Sequence, residues 1–427
     1  MTRIAISSVW ALLLVSGCYN PDLSGSGGFK CAKTKECPEG FECINEVCVS
    51  GDVHSDGPLV DRQVADAEHD GPGSDGPGSD GIPPKDLPTS PSCSITSAAS
   101  PVTSLNVGSS FSFNISDNGL RAASFQTSSP SMVYQTTLTG GWVEFKVEAG
   151  DESAVDFDTS GSPIVAFHAQ NDTLRMRFNK GTYNVDTATS SGTQVSIGAH
   201  PNLGYRWLTY VSGGGLKRAW VKVVPASTFG SGTEVVTPAE SATTLTAPAQ
   251  SLLTGASQAI AYVTLGATPR LYVSVGDLLT PNKWTHTPVE DLTGTSIKEY
   301  AVSMPRIGAS PLLWTKGSSV RERFKNTNTT LFQGTRAHTD LSSLSQQAIV
   351  YVDNGSLIFV SRKNLGTTYL PPVTLHKLGS GGLADHGIVR ANPTFTKAGS
   401  ARWEVVYRKV DSAAVQQLLH VVIDCTY

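Results

Sequence analysis

One two-strand unit recurs along the last three quarters of the chain, and it restricts the possible folds more than any other feature. The clearest copy is PIVAFHAQNDTLRMRF from Pro163 to Phe178. It reads as a strand, a tight polar turn at Gln170-Asn171-Asp172, and a second strand in which Leu174, Met176 and Phe178 alternate. Comparable pairs begin at Gly204 (GYRWLTYVSGGGLKRAWVKV), Ala259 (AIAYVTLGATPRLYVSV), Pro311 (PLLWTKGSSVRERF), Ala348 (AIVYVDNGSLIFVSRK) and Trp403 (WEVVYRKVDSAAVQQLLHVVI). A degenerate copy, RAASFQTSSPSMVYQTTL, begins at Arg121. No long segment shows a 3.6-residue apolar period. Turn signals at Asp117-Asn-Gly, Gly213-Gly-Gly, Asp353-Asn-Gly and Gly379-Ser-Gly-Gly separate the strands.

An isolated strand pair exposes its edges and is marginal in water, so such units must stack or close on one another. Seven copies start about 36 to 56 residues apart, the spacing of β-propeller blades. The expected fold is therefore all-β, a β-propeller over 93–427 with roughly 48 residues for each of seven blades. Six blades result if the degenerate copy belongs to its neighbour, and two stacked β-sandwiches are the rival architecture. A ring also needs a closure, usually the N-terminal strand paired into the last blade. That closure brings Cys93 and Cys425 within bridging distance, with Cα atoms about 4.4–6.8 Å apart. In the chain-entropy model a loop of that size adds roughly 4–5 kcal/mol.

The N-terminus carries an export signal: Arg3, an apolar run from Ile4 to Val15, then Ser16-Gly17 before Cys18. The run is too short to span a bilayer. Leu14-Val15-Ser16-Gly17-Cys18 resembles the lipobox of bacterial lipoproteins. The resemblance implies removal of residues 1–17 and acylation of Cys18, a multi-chain anchor of palmitate type. Tyr19, not Asp, follows the cysteine, which by the family's sorting rule points to the outer membrane. A tether at 18–30 leads to a module at 31–49 with Cys31, Cys37, Cys43 and Cys48. So short a segment in an oxidising compartment reads as a disulfide framework, with three pairings possible. Spacings of five, five and four do not match the paired knuckles of zinc ribbons. The pattern resembles small EGF-like or Dickkopf-like extracellular repeats. Residues 50–92, with Asp-Gly-Pro-Gly-Ser repeated from Asp70, lack the apolar side chains a core requires and read as a disordered linker. Such a coil spans roughly 35–40 Å on average. With Cys18 set aside, the seven cysteines leave an even six.

Net charge is −4, which gives no electrostatic footprint for nucleic acid. No nucleophile elbow, zinc-protease motif, P-loop or dinucleotide fingerprint occurs, and no residue set points to a metal or cofactor. Asp385-His386 reads as a surface loop pair. Glu144, Glu148, Asp151, Glu152, Asp156 and Asp158 are close enough in sequence for two of them to flank a glycosidic bond. The lead-in Asp158-Thr-Ser-Gly161-Ser-Pro163 resembles blade openings of sialidase-like propellers but lacks their Asp-box, so Asp158 and Gly161 read as a capped turn. Trp142, Trp207, Trp220, Trp284, Trp314 and Trp403 are expected mainly between blades, with one or two free to stack on sugars. Together these features read as a lipid-anchored cell-envelope protein whose propeller displays a surface for an extracellular protein or glycan. Alternatives are a glycan hydrolase or lyase acting in the channel, and a structural envelope component. Arginines or carboxylates converging at the channel mouth favour the enzyme, and an aromatic, charge-poor mouth favours binding.

Overall fold

A computed structural model describes residues 41–44, 47–50 and 90–427, apart from 159, 179–180, 187–194, 200–204, 213–214, 223–231, 237–248, 253–256, 265–267, 278–282, 296–301, 307, 309, 380–381 and 412. The chain divides into two compact units, Met1–Ile82 and Pro83–Tyr427. In the first, β1 (Phe41–Ile44) and β2 (Val47–Ser50) pair antiparallel with Cys43 opposite Cys48. Cys18, Cys31, Cys37 and the linker at 51–89 lie outside the described residues.

The second unit is built of strands, with no helix among the described residues. After β3 (Ser92–Pro101), the first group is β4 (Val107–Ile115), β5 (Arg121–Thr127), β6 (Met132–Leu138) and β7 (Trp142–Phe157). The 16-residue β7 then continues into β8 (Pro163–Ala169), β9 (Thr173–Phe178) and β10 (Gly181–Asp186), so two four-stranded meanders share one strand. Next come β11 (Val195–Ala199) to β14 (Gly232–Val236), β15 (Ala249–Leu252) to β18 (Trp284–Asp291), and β19 (Val302–Ser303) to β22 (Thr327–Gln333). The chain ends with β23 (Thr335–Leu341), β24 (Gln347–Asp353), β25 (Ser356–Arg362) and β26 (Val373–His376), then β27 (Leu383–Ala391), β28 (Ser400–Val410) and β29 (Gln416–Thr426). The last group takes β3 as its fourth strand. Every two-strand unit read from the sequence falls on the middle pair of a group; Pro163–Phe178, for example, is β8 and β9.

No strand ladder joins the separate sheets among the described residues; packed side chains hold them together. Phe167 and Val165 of the second group pack on Ala122 and Val133 of the first. Ile164, Met176 and Phe178 pack on Leu208 and Tyr210 of the third, Leu216 on Ile260 and Tyr262, and Ala261 and Leu271 on Leu312 and Trp314. Leu313 and Val320 meet Ile349 and Val360, and Val350 and Phe359 meet Val405 and Tyr407. Finally Ile388, Val406 and Leu418 pack on Phe111, Phe113 and Ile115, so the last group rests on the first. Each of these large buried side chains contributes roughly 1.5–3 kcal/mol of transfer free energy. First strands of successive groups touch in order, from β4 and β7 through to β27, which touches β4 again. This is β-propeller architecture. A sandwich would press two sheets together by one face each, whereas these sheets pack through both faces.

The terminal clasp expected from the sequence is present. Cys93 and Cys425 are directly opposed in the β3–β29 ladder and joined by a disulfide across 332 positions. Their Cα atoms are 4.0 Å apart, tighter than expected, because directly opposed residues of an antiparallel pair approach closely.

A shared turn explains how three first strands and one second strand reverse. Ser116, Asp158, Ser342 and Asp411 each donate a backbone N–H to the residue four positions on, at 2.8–3.0 Å. Their side-chain oxygens accept from the turn: Asp158 Oδ1 takes the N–H groups of Ser160 and Ser162, both at 2.8 Å. The fourth position is left-handed in all of them, at Gly119 (φ 80°), Gly161 (φ 81°), Ser345 (φ 60°) and Ala414 (φ 61°). Asp158 and Gly161 thus form the capped turn expected from the sequence.

Candidate functional site

The first strands carry charge to one end of the axis. Asn114 on β4, Asp156 on β7, Asp340 on β23 and Arg390 on β27 each stand two residues before the residue that caps the following turn, Ser116, Asp158, Ser342 or Asn392. Asn114 Nδ2 donates to Asp156 Oδ1 at 2.7 Å, and Arg206 Nε on β12 (Tyr205–Ser212) lies 3.0 Å from Asp156 Oδ2. Arg306, just after β19, donates from Nη1 to Asn114 Oδ1 (3.0 Å) and to the Ile115 carbonyl (2.7 Å). Its Nε stands 3.6 Å from Asp340 Oδ2. This one side chain therefore ties the fifth group to the first across the axis. Arg390 donates to the Phe113 carbonyl at 3.1 Å and to His338 Nε2 at 3.3 Å. Burial pushes the Asp156 carboxyl up, against the pull of Arg206, Arg306 and Arg390. Burial and the neighbouring Arg306 bring Arg390 down to about 10, and burial beside Arg390 holds His338 well below its usual range.

A recess lies on the seam where the last group meets the first. It has a volume of about 480 Å³ and is bordered by Ser97 and Ser100 on β3, Arg121 on β5, Gly141 and Trp142 at the β6–β7 turn, and His420 on β29. Beneath it the fully buried Glu404 accepts from Arg121 Nη2 (2.6 Å), Arg121 Nε (2.9 Å), Asn392 Nδ2 (2.8 Å) and His420 Nε2 (2.9 Å). Burial would raise this carboxyl, but the hydrogen bonds from His420 and Arg121 outweigh it and hold Glu404 at about 2. In a neutral His420 ring the bond to Glu404 fixes the proton on Nε2 and leaves Nδ1 as an acceptor. The Trp142 ring stands edge-on to His420 at 5.5 Å and is half-exposed.

The carboxylates that cluster in sequence are dispersed in space. Glu144 accepts from the Ser104 N–H (3.3 Å), Glu148 pairs with Arg175, and Asp151 binds His168 Nδ1 at 2.6 Å. Glu152, with its carboxyl raised by burial, contacts Ser110, and Asp158 caps its turn. Only Asp156 reaches the axis. Asp385-His386 is not a surface loop pair: it lies within β27 at a register shift, where Asp385 pairs with Arg336 and Arg408. Burial, with Arg408 and Arg336 nearby, lowers His386 to about 3. Trp207, Trp314 and Trp403 are buried as expected, Trp142 and Trp284 half-buried, and the Trp220 side chain lies outside the description. Arg218 sits between Trp207 and Trp284, 4.1 and 4.7 Å from the ring centres, and joins the third group to the fourth. Sequence reading missed Asn114, Arg206, Arg306, Asp340 and Arg390. The two-residue offset from the capped turn was the available signal for three of them.

No known family profile and no curated protein sequence matches the chain. Solved structures similar to it include a catalytically inactive virginiamycin B lyase from Staphylococcus aureus in complex with quinupristin. That match has 9% identity and a TM-score of 0.47, covering 78% of this chain and 99% of that one. A subtype N11 neuraminidase-like protein of A/flat-faced bat/Peru is similar at 11% identity and TM-score 0.46, over 79% and 93% of the two chains. Regucalcin from Agrobacterium tumefaciens is similar at 12% identity and TM-score 0.38, over 76% and 92%.

Proposed function

We propose that this chain is a lipid-anchored envelope protein, held by an acylated Cys18, whose groups form a seven-bladed propeller that displays a binding surface for an extracellular protein or glycan. The cysteine-rich module and linker act as a stalk. One observation carries the binding reading over catalysis in the channel. Arginines and carboxylates do converge at the axial mouth, the arrangement that favours an enzyme, yet they are committed to one another. Arg306 is bonded to Asn114 and the Ile115 carbonyl, Arg206 to Asp156 and the Phe157 carbonyl, and Asp340 to the Ala391 N–H. Such a network fixes the inner strands and leaves recognition to the rims between groups. The enzyme reading draws support from Asp156, whose carboxyl is raised by burial at the axis.

The test has two arms. Metabolic acyl labelling and detergent partitioning of wild type and Cys18→Ser examine the anchor, and loss of label with release from the membrane is expected. Capture of surface polysaccharide or protein by intact cells examines display; equal capture by cells lacking the protein would refute it.

A further inference from the structure

The recess on the seam has the chemistry of a ligand site. Arg121 has five N–H donors and spends three on Glu404 and the Gly119 carbonyl, leaving two among the described residues. Its side chain is 28% exposed. The guanidinium is held in place by a carboxylate that is itself fully buried, so its free edge is pre-oriented. Beside it stand the half-exposed Trp142 ring, the Ser97 and Ser100 hydroxyls, and His420, whose Nδ1 has no partner among the described residues. A flat aromatic surface suits a pyranose ring, scattered hydroxyl partners suit a polyol, and a two-donor arginine edge suits a carboxylate. The volume is in the range of small-ligand sites.

We infer that this seam recess binds a hexuronic acid residue of an acidic polysaccharide: its carboxylate on Arg121, its ring against Trp142, and its hydroxyls toward Ser97, Ser100 and His420. The inference rests on the display reading and names the ligand class. The site lies where the last group, completed by β3, meets the first.

Gly141 provides the test. A Cβ added there meets nothing within 4 Å, and the residue does not have a left-handed backbone, so substitution leaves the fold intact. Full-length protein in detergent is titrated calorimetrically with oligoglucuronate, oligogalacturonate, a neutral glucan oligomer and an acidic peptide. Uronate oligomers are expected to bind about tenfold or more tightly than the neutral glucan. Gly141→Glu should bind about tenfold or more weakly than the isosteric Gly141→Gln, from a like charge beside the carboxylate. Absence of uronate binding, equal affinities in the Gln and Glu variants, or tighter binding of the peptide overturns the inference. A ligand captured by intact cells but indifferent to Gly141→Glu would leave the display reading standing and remove the recess.

Discussion

Acid titration should reveal the Glu404 network as a discrete loss of stability. The carboxyl is held at about 2 in the folded protein against a reference of 4.5. A folded-state pKa depressed below its unfolded value contributes stability that is fully present above 4.5 and is lost as the pH falls through about 2. At roughly 1.4 kcal/mol per pH unit, that gap is on the order of 3 kcal/mol. The side chain is 0% exposed, so solvent screening does not reduce the figure. Urea unfolding at a series of pH values between about 6 and 2, in wild type and Glu404→Gln, isolates the contribution of Glu404, because every other carboxylate is common to both. The variant is less stable throughout, since Arg121 and His420 lose a charged partner. The diagnostic quantity is the difference between the two curves, which should narrow by about 3 kcal/mol as the pH drops. A difference that stays constant from neutral pH to about pH 2 would refute the reasoning.

Four further outcomes follow from the turns, the clasp and the proposed anchor. Gly161→Ala should cost roughly 1–2 kcal/mol, because φ is +81° and the new Cβ lies 2.8 Å from Asn118 Nδ2. At the equivalent left-handed Ser345 (φ 60°) a change to Gly should be neutral or stabilising by under about 1 kcal/mol; a clear loss there would show that the two turns are not equivalent. Replacing Cys93 and Cys425 together by Ser should lower the Tm by on the order of 10 °C with unchanged strand content in circular dichroism, since the bridge acts mainly on the unfolded chain. If Cys18 carries the proposed lipid, Cys18→Ser should abolish acyl labelling, and retained label would refute the lipoprotein reading.

The middle strands of each group were legible because they are buried on both faces. Val165 to Phe167, Ile260 to Val263, Ile349 and Val350, and Val405 and Val406 read as continuous apolar runs next to strong turn signals. First and fourth strands were harder to see. The first strand faces the axis and carries Asn114, Asp156, Asp340 and Arg390 where an apolar residue would otherwise mark a strand. The fourth faces solvent, as in β18 and β22, and its pattern is mostly exposed polar residues. β7 hid a boundary as well: as a single 16-residue strand it is the outer strand of one group and the inner strand of the next, so the chain offers no turn between them. The clasp was readable because two cysteines and a closed ring impose the same constraint. The Glu404 network was not: Arg121, Asn392, Glu404 and His420 belong to four different strands or their ends, and only the meeting of first and last groups assembles them.

Closure of the ring through its two ends is the claim on which the seam recess and the axial cluster both depend. Peptide mapping of the purified protein under non-reducing conditions tests it directly. The account predicts one cross-linked pair containing Cys93 and Cys425, joined across 332 positions and converted to two free peptides on reduction. Cross-links from either residue to Cys31, Cys37, Cys43 or Cys48, or two free thiols, would contradict it.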